Sequence, residues 1–298
     1  MKRSTGRKLE EVKELRTKWS GSGLHDFAPM KGDIGGVMAT NAGTFLLNAY
    51  YSNVVTGAPE AEGACFAVAA SDANDLVAGG RNLTVWKVVR QSGSKSVVLK
   101  KQWDLKEKDN PPAVLKFSET GDVLVAGFYN GQAKGYRARD GELLWASPVP
   151  KKLPMSTLPA QANTPTGQYS PLSSEGHPGD VKFYFPLCVI PGRNEVAYSN
   201  GVNVQICQIE SGKTVRVLPR IRVDSLAVSV DGKKLAMSNA NGKGEAGLEI
   251  VDVASGRSEG FLPRSYQKFF HLAFSPDGRQ IAGAGSSHDT QFEIWTLR

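Results

Sequence analysis

The sequence predicts an all-β fold: a β-propeller of four-stranded antiparallel blades, with six repeating units detectable and six or seven blades in the ring. Three observations carry the prediction. First, Ala273-Phe274-Ser275-Pro276-Asp277-Gly278-Arg279 runs into Gln280-Ile281-Ala282, an apolar strand, a Pro-Asp-Gly turn and a second apolar strand, the grammar of a hairpin. Second, this unit recurs upstream at a spacing of roughly 40 residues, the period of a propeller blade. Third, each hairpin is followed by an alternating apolar run, a Gly turn and a more polar strand, which gives four strands per unit.

The units follow in chain order. Val37–Leu46 turns at Gly43, and Val68–Val77 turns at Asn74. Leu115–Leu124 turns at Gly121, Val189–Ala197 at Gly192, Ala227–Ala236 at Gly232 and Ala273–Ala282 at Gly278. Gly, Asn and Asp fall at the reversals because they tolerate positive φ or bond the turn with a short side chain. Leu83-Thr84-Val85-Trp86, Val202–Ile206 and Leu248–Val251 alternate with a period of two and read as third strands. The turns Asp140-Gly141, Ser211-Gly212 and Ser255-Gly256 lead into fourth strands such as Thr214–Leu218.

These residues resemble the WD-repeat β-propeller family. The resemblance rests on Ala273–Gly278, Ile294-Trp295, Val85-Trp86, Val251-Asp252 and the Gly176-His177 pair, and it covers most of residues 34–298. The repeats are degenerate: Gly-His occurs once and no strict Trp-Asp pair is present. Of the family's structural tetrad, only Asp289 and Trp295 carry over, with Trp86 as a further structural tryptophan. The resemblance implies a rigid, non-enzymatic platform without a cofactor, binding a protein or peptide through loops on one rim. Those loops join second to third strands or enter first strands. Here they offer Arg81, Tyr129, Asn130, Arg220, Arg222, Tyr266, Lys268 and His288 as partner-binding residues.

Two segments depart from the repeat. The step from Gly121 to Gly192 is 71 residues, against 31 to 47 for the others. The excess falls in a Pro/Ser-rich stretch at about 150–179, read as an insertion because its prolines disfavour central strands; the rival is a decayed seventh blade with Gln168-Tyr169-Ser170 as a strand. The chain also ends on Phe292–Arg298, the third strand of its last unit. Its fourth strand is therefore sought in the basic segment 1–20, where Leu15, Thr17 and Trp19 share one face of a strand over Val12–Trp19. Trp19 would then pack at the ring joint. The same segment also fits a helical stripe through Leu9, Val12, Leu15 and Trp19. Residues 21–298 are read as one propeller domain.

Composition narrows the classes further. No stretch of 18 apolar residues offers a membrane-spanning helix, and the basic start lacks the apolar core of a secretory signal, so a cytoplasmic location is expected. Cys65, Cys188 and Cys207 are too few and too scattered for a disulfide framework or a metal site, and read as buried small hydrophobes. The net charge is +7 over 298 residues, but residues 1–18 hold +4 of it. The remaining +3 is no basic stripe, which disfavours nucleic acid as a partner.

Catalytic chemistry finds little footing. His25, His177, His271 and His288 are scattered among units, and there is no Gly-x-Ser-x-Gly elbow or phosphate loop. The turn aspartates Asp72, Asp231, Asp277 and Asp289 are explained by turn chemistry. The enzymatic alternative is a quinoprotein-like dehydrogenase or a lactonase-like propeller. The first rests on Tyr136-Arg137-Ala138-Arg139-Asp140-Gly141-Glu142-Leu143-Leu144-Trp145, which is similar to that family's tryptophan-docking repeat and occurs once; no clustered metal carboxylates support the second.

Overall fold

In the computed structural model the described residues are 24–30, 34–40, 43–48, 54–57, 65, 67–73, 75–90, 97–105, 111–150, 185–220, 223–240, 246–264, 269–286 and 290–297. All of their regular structure is strand, in six antiparallel sheets, five of four strands and one of three. The first sheet holds β1 (Leu24–Pro29), β2 (Ile34–Thr40), β3 (Gly43–Asn48) and β4 (Val54–Gly57). The second holds β5 (Ala69–Ala70), β6 (Leu76–Gly79), β7 (Thr84–Arg90) and β8 (Val97–Asp104). The third is β9 (Pro112–Phe117), β10 (Val123–Phe128), β11 (Ala133–Arg137) and β12 (Leu143–Ala146). The fourth is β13 (Leu187–Ile190), β14 (Glu195–Ser199), β15 (Val204–Gln208) and β16 (Thr214–Leu218). The fifth is β17 (Ser225–Val228), β18 (Lys234–Ala240), β19 (Ala246–Asp252) and β20 (Ser258–Arg264). The sixth is β21 (Phe269–Phe274), β22 (Gln280–Ser286) and β23 (Thr290–Thr296). Within every sheet the spatial order of strands is their chain order.

The strands group into two compact units, Met1–Pro111 and Pro112–Arg298. In the first unit, Val37, Leu46, Val68, Val77 and Trp86 form a common core with Cys65. In the second unit, β9, β13, β17 and β21 lie side by side in succession, so the first strands of consecutive sheets are neighbours. One apolar core fills each gap between consecutive sheets. Val123, Val125, Trp145, Phe185, Val196 and Tyr198 fill the gap between the third and fourth. Ile190, Ala197, Ile206, Leu226, Leu235 and Met237 fill the next, and Ala227, Ala236, Ile250, Ile281 and Trp295 the last. Strand alternation explains the division. Leu226 and Leu235 face one neighbour while Ala227 and Ala236, one residue on, face the other, so both faces of the fifth sheet are buried.

In four of the six sheets, the second, third, fifth and sixth, the turns between first and second strands share one chemistry. The hydroxyls of Ser71, Ser118, Ser229 and Ser275 accept the backbone N–H of Leu76, Val123, Lys234 and Gln280, at 3.1, 3.1, 2.9 and 2.9 Å. Ser229 and Ser275 donate in turn to the carboxylates of Asp231 and Asp277, at 2.6 Å each. Those carboxylates also accept the N–H of Lys233 and Arg279. The serine hydrogen bond, with the following backbone N–H, holds both carboxyls below the usual aspartate range. The structural reading of Asp231 and Asp277 is thus met in full, while Asp289 lies outside the described residues.

A second recurring device sits in the outer strand. The pairing of third with fourth strand shifts register at the same point in all five four-stranded sheets. The residue just beyond the shift is Thr56, Trp103, Trp145, Arg216 and Gly260 in turn. In the third sheet, Trp145 reaches across and donates its indole N–H to the Ile209 carbonyl of the fourth sheet at 2.7 Å. In the fourth, Arg216 donates to the Ser255 carbonyl at 3.0 Å and to that of Ala254, both in the corresponding turn of the fifth sheet. The receiving turn passes through Gly212 with φ +65°, where a Cβ would lie 2.6 Å from the Trp145 ring. The position therefore needs glycine twice over, for its left-handed backbone and for the ring above it. Trp145, read from sequence as a lone tryptophan-docking echo, is a latch between sheets.

Two expectations need correction or placing. The hairpin at Gly43 joins the second and third strands of its sheet, not the first and second, because β1 precedes it and pairs with β2. The sixth sheet has three strands among the described residues, in line with an ending on a third strand. Segment 1–20 with Trp19, the stretch 151–184 and the turn residue Asn74 lie outside the described residues.

Candidate functional site

The second-to-third-strand turns and the connections entering first strands are where the rim residues were sought. In the first unit, Arg81 stands exposed in the turn between β6 and β7, just after Gly80 at φ +82°. Its neighbour Leu83 is buried, and Trp86 beyond it is fully buried. The turn is anchored from below by Cys65, whose sulfur accepts the Gly80 N–H at 3.0 Å and the Thr44 hydroxyl at 3.3 Å.

In the second unit, the turn between β10 and β11 carries Tyr129 and Asn130, both half-buried. Asn130 Oδ1 accepts the Gln132 N–H at 3.0 Å. Gln132 donates its side-chain amide to the Ser147 carbonyl at 2.6 Å, and the Ser147 hydroxyl accepts the Ala133 N–H at 2.9 Å. This stitches the turn to the end of β12. The matching turn of the fourth sheet is Asn200-Gly201-Val202-Asn203. Asn200 Oδ1 accepts the N–H groups of Val202 and Asn203 at 3.0 and 2.9 Å. Beneath it, Tyr198 donates its hydroxyl to Gln205 Oε1 at 2.7 Å and stacks on Phe185, centroids 6.0 Å apart. Burial pushes the Tyr198 phenol well above its ordinary value, so it serves as a neutral donor. Lys134 lies over the Phe128 ring, 5.0 Å from its centroid.

Arg220 follows β16 and is committed inward. Its guanidinium makes a two-pronged pair with Glu249 on β19, Nε to Oε2 at 2.5 Å and Nη2 to Oε1 at 2.8 Å. The Glu249 side chain is only 8% exposed and that of Arg220 26%. Arg220, read from sequence as a partner-binding residue on the rim, is thus paired between the connection and the fifth sheet, with part of its side chain still exposed. The partner was out of reach of that reading because it lies 29 positions on, inside an alternating apolar strand. Arg222, Tyr266, Lys268 and His288 lie outside the described residues. Of the structural tryptophans, Trp86 and Trp295 are both buried, in the first unit's core and between the fifth and sixth sheets.

The three cysteines are buried and free of disulfides. Burial pushes all three thiols up, Cys188 to about 12. Such thiols stay protonated at neutral pH and are poor nucleophiles. Among the described residues no three His, Cys, Asp or Glu side chains gather as a metal site, and no helix is long and apolar enough to cross a membrane. Among the described second-to-third-strand turns, the first unit carries the exposed Arg81, and the second unit carries the half-buried Tyr129 with the side-chain amides of Asn130, Gln132 and Asn200. No protein-family model matches the chain, and neither does any curated protein.

Proposed function

We propose that this chain is a degenerate WD-repeat-like β-propeller that serves as a non-enzymatic platform, binding a protein or peptide through the rim of second-to-third-strand turns. One observation carries the reading: six consecutive antiparallel sheets share one strand order, and in the second unit their first strands stand side by side over intersheet cores. In this reading the sheets are blades, residues 12–19 supply the strand that completes the sixth, and stretch 150–179 is an insertion between blades. Turns braced as the Asn130 and Asn200 turns are braced suit binding, because little ordering remains to be done on association. Arg81, Tyr129 and Asn130 are the described contact candidates, Arg and Tyr being favoured at binding hot spots. Arg220 supports the rim from within. A cytoplasmic setting goes with this reading.

The test compares retention of partners by the wild-type chain and by an Arg81→Ala/Tyr129→Ala variant whose melting is unchanged. The platform reading expects a polypeptide held at stoichiometric level by the first and released by the second. A quinone or metal signal in the purified protein, with turnover of an alcohol or a lactone, would replace it by the enzymatic alternative.

A further inference from the structure

Asn-Gly occurs three times in the sequence, and Asn241-Gly242 lies outside the described residues. The other two copies lie in turns at the same place in consecutive sheets, Asn130-Gly131 between β10 and β11 and Asn200-Gly201 between β14 and β15. Both glycines sit at φ +81°, so the two sites share sequence and local backbone form. They differ in what surrounds the reacting groups.

The chemistry at issue is cyclisation. The backbone nitrogen of the glycine attacks the side-chain carbonyl carbon of the asparagine, and an oxyanion develops on Oδ1. At Asn200 that oxygen already faces two backbone N–H donors, Val202 at 3.0 Å and Asn203 at 2.9 Å. This is the arrangement that stabilises a developing oxyanion elsewhere. The attacking group is also loosely held: the Gly201 N–H donates to the Ser199 hydroxyl at 3.3 Å. At the other site the Gly131 N–H is tied to the Phe128 carbonyl at 2.9 Å. A proton engaged in a good backbone hydrogen bond is harder to remove, and its nitrogen is less free to move onto the side chain. Both residues of the Asn200 turn are only half-buried, so solvent base and water reach them.

We propose that Asn200-Gly201 is a site of spontaneous covalent modification, set by the fold to deamidate ahead of Asn130-Gly131. The Gly201 nitrogen forms a bond to Asn200 Cγ and gives its proton to solvent. The bond from Cγ to Nδ2 breaks, and ammonia leaves after taking a proton from solvent. Water then adds to either carbonyl of the cyclic imide and reopens it as an aspartyl or isoaspartyl linkage at position 200. One water is consumed and one ammonia released, with no change of oxidation state. The product adds a negative charge to the rim, and in the isoaspartyl form it lengthens the backbone of the turn between β14 and β15.

The experiment incubates the purified full chain in mildly alkaline buffer and follows both sites by peptide mass mapping, with enzymatic methylation to count isoaspartyl groups. In the native protein Asn200 should be converted about tenfold faster than Asn130, the modest share expected from differential oxyanion stabilisation. In concentrated urea the two rates should approach each other, since only local sequence then acts. A native ratio at or below one overturns the proposal. So does a ratio that urea leaves unchanged, which would credit sequence rather than the fold. Gly201→Ala, whose Cβ hinders the attacking nitrogen, should slow conversion at position 200 by about tenfold or more while conversion at Asn130 continues; an unchanged rate at position 200 also overturns it.

Discussion

Truncating Trp145 tests whether consecutive sheets are held by the latch described above. The side chain is 9% exposed and its ring lies against Gly135 as well as Gly212. A buried tryptophan removes about 150–250 Å² from water, a gross transfer term of roughly 4–6 kcal/mol at about 25 cal/mol per Å². Partial collapse of the site and the methyl retained by alanine reduce this, so Trp145→Ala should cost about 4 kcal/mol. Trp145→Phe keeps a ring but deprives the Ile209 carbonyl of its donor, and should cost about 1–2 kcal/mol. Hydrogen exchange reads both locally. The Ile209 and Gly212 amides donate to Asn194 and Gln208, and their protection should fall about a thousandfold in the alanine variant and about tenfold in the phenylalanine variant, at 1.4 kcal/mol per decade. A cycle with Gly212→Ala is sharper. On its own the added Cβ meets both the left-handed backbone and the indole; in the Trp145→Ala background only the backbone cost survives. The two changes should therefore couple by about 1–3 kcal/mol, the usual cost of overpacking. Additivity within about 0.5 kcal/mol, or equal losses for Phe and Ala at position 145, would refute the latch.

Further outcomes follow from other contacts. Arg220→Ala strips the guanidinium from a nearly buried carboxylate and should cost about 3–5 kcal/mol in urea melts, while the apolar pair Arg220→Met/Glu249→Leu should recover most of it; unchanged melting of the single variant would return Arg220 to the rim. The turn carboxyls of Asp231, Asp252 and Asp277 are held below the ordinary aspartate value. Their stabilisation is complete above about pH 4 and is lost as pH falls through the depressed folded values. Asp231→Asn/Asp277→Asn should thus show a shallower loss of melting temperature in that acid window than the wild type, and parallel curves would count against it. Removing residues 1–20 should lower the melting temperature and promote self-association through the outer edge of β23; a monomer with unaltered melting would exclude closure by that segment.

How much of this was legible depended on whether a signal was local. The Ser-x-Asp-Gly turns at Ser229 and Ser275 were readable because donor, acceptor and reversal lie within six residues. The alternation that assigns Leu226 and Ala227 to opposite faces was equally visible. The first sheet was misframed because β1 carries Phe27 outward, 44% exposed, which blurs its apolar pattern, so the clearer hairpin at Gly43 stood as the opening pair of its unit. The latch series escaped for another reason. Geometry puts tryptophan, arginine and glycine at one structural position, and nothing in side-chain type relates Trp145 to Arg216; the count of residues from Gly141 and Gly212 does. Arg220 and Glu249 meet across an intersheet gap that no sequence spacing encodes.

The blank at Gly260 has a consequence for how the second unit comes apart. A Cβ there would touch nothing within 4 Å, so this position carries no side chain like Trp145 or Arg216, and the described packing between the fifth and sixth sheets is the apolar layer around Ile281 and Trp295. When each module is tied only to the next, cooperativity is the product of nearest-neighbour links, and dissolution starts at the weakest. On the described contacts the sixth sheet should open before the latched third-to-fifth block, and its completion by residues 12–19, as proposed above, would be what holds that end of the unit shut.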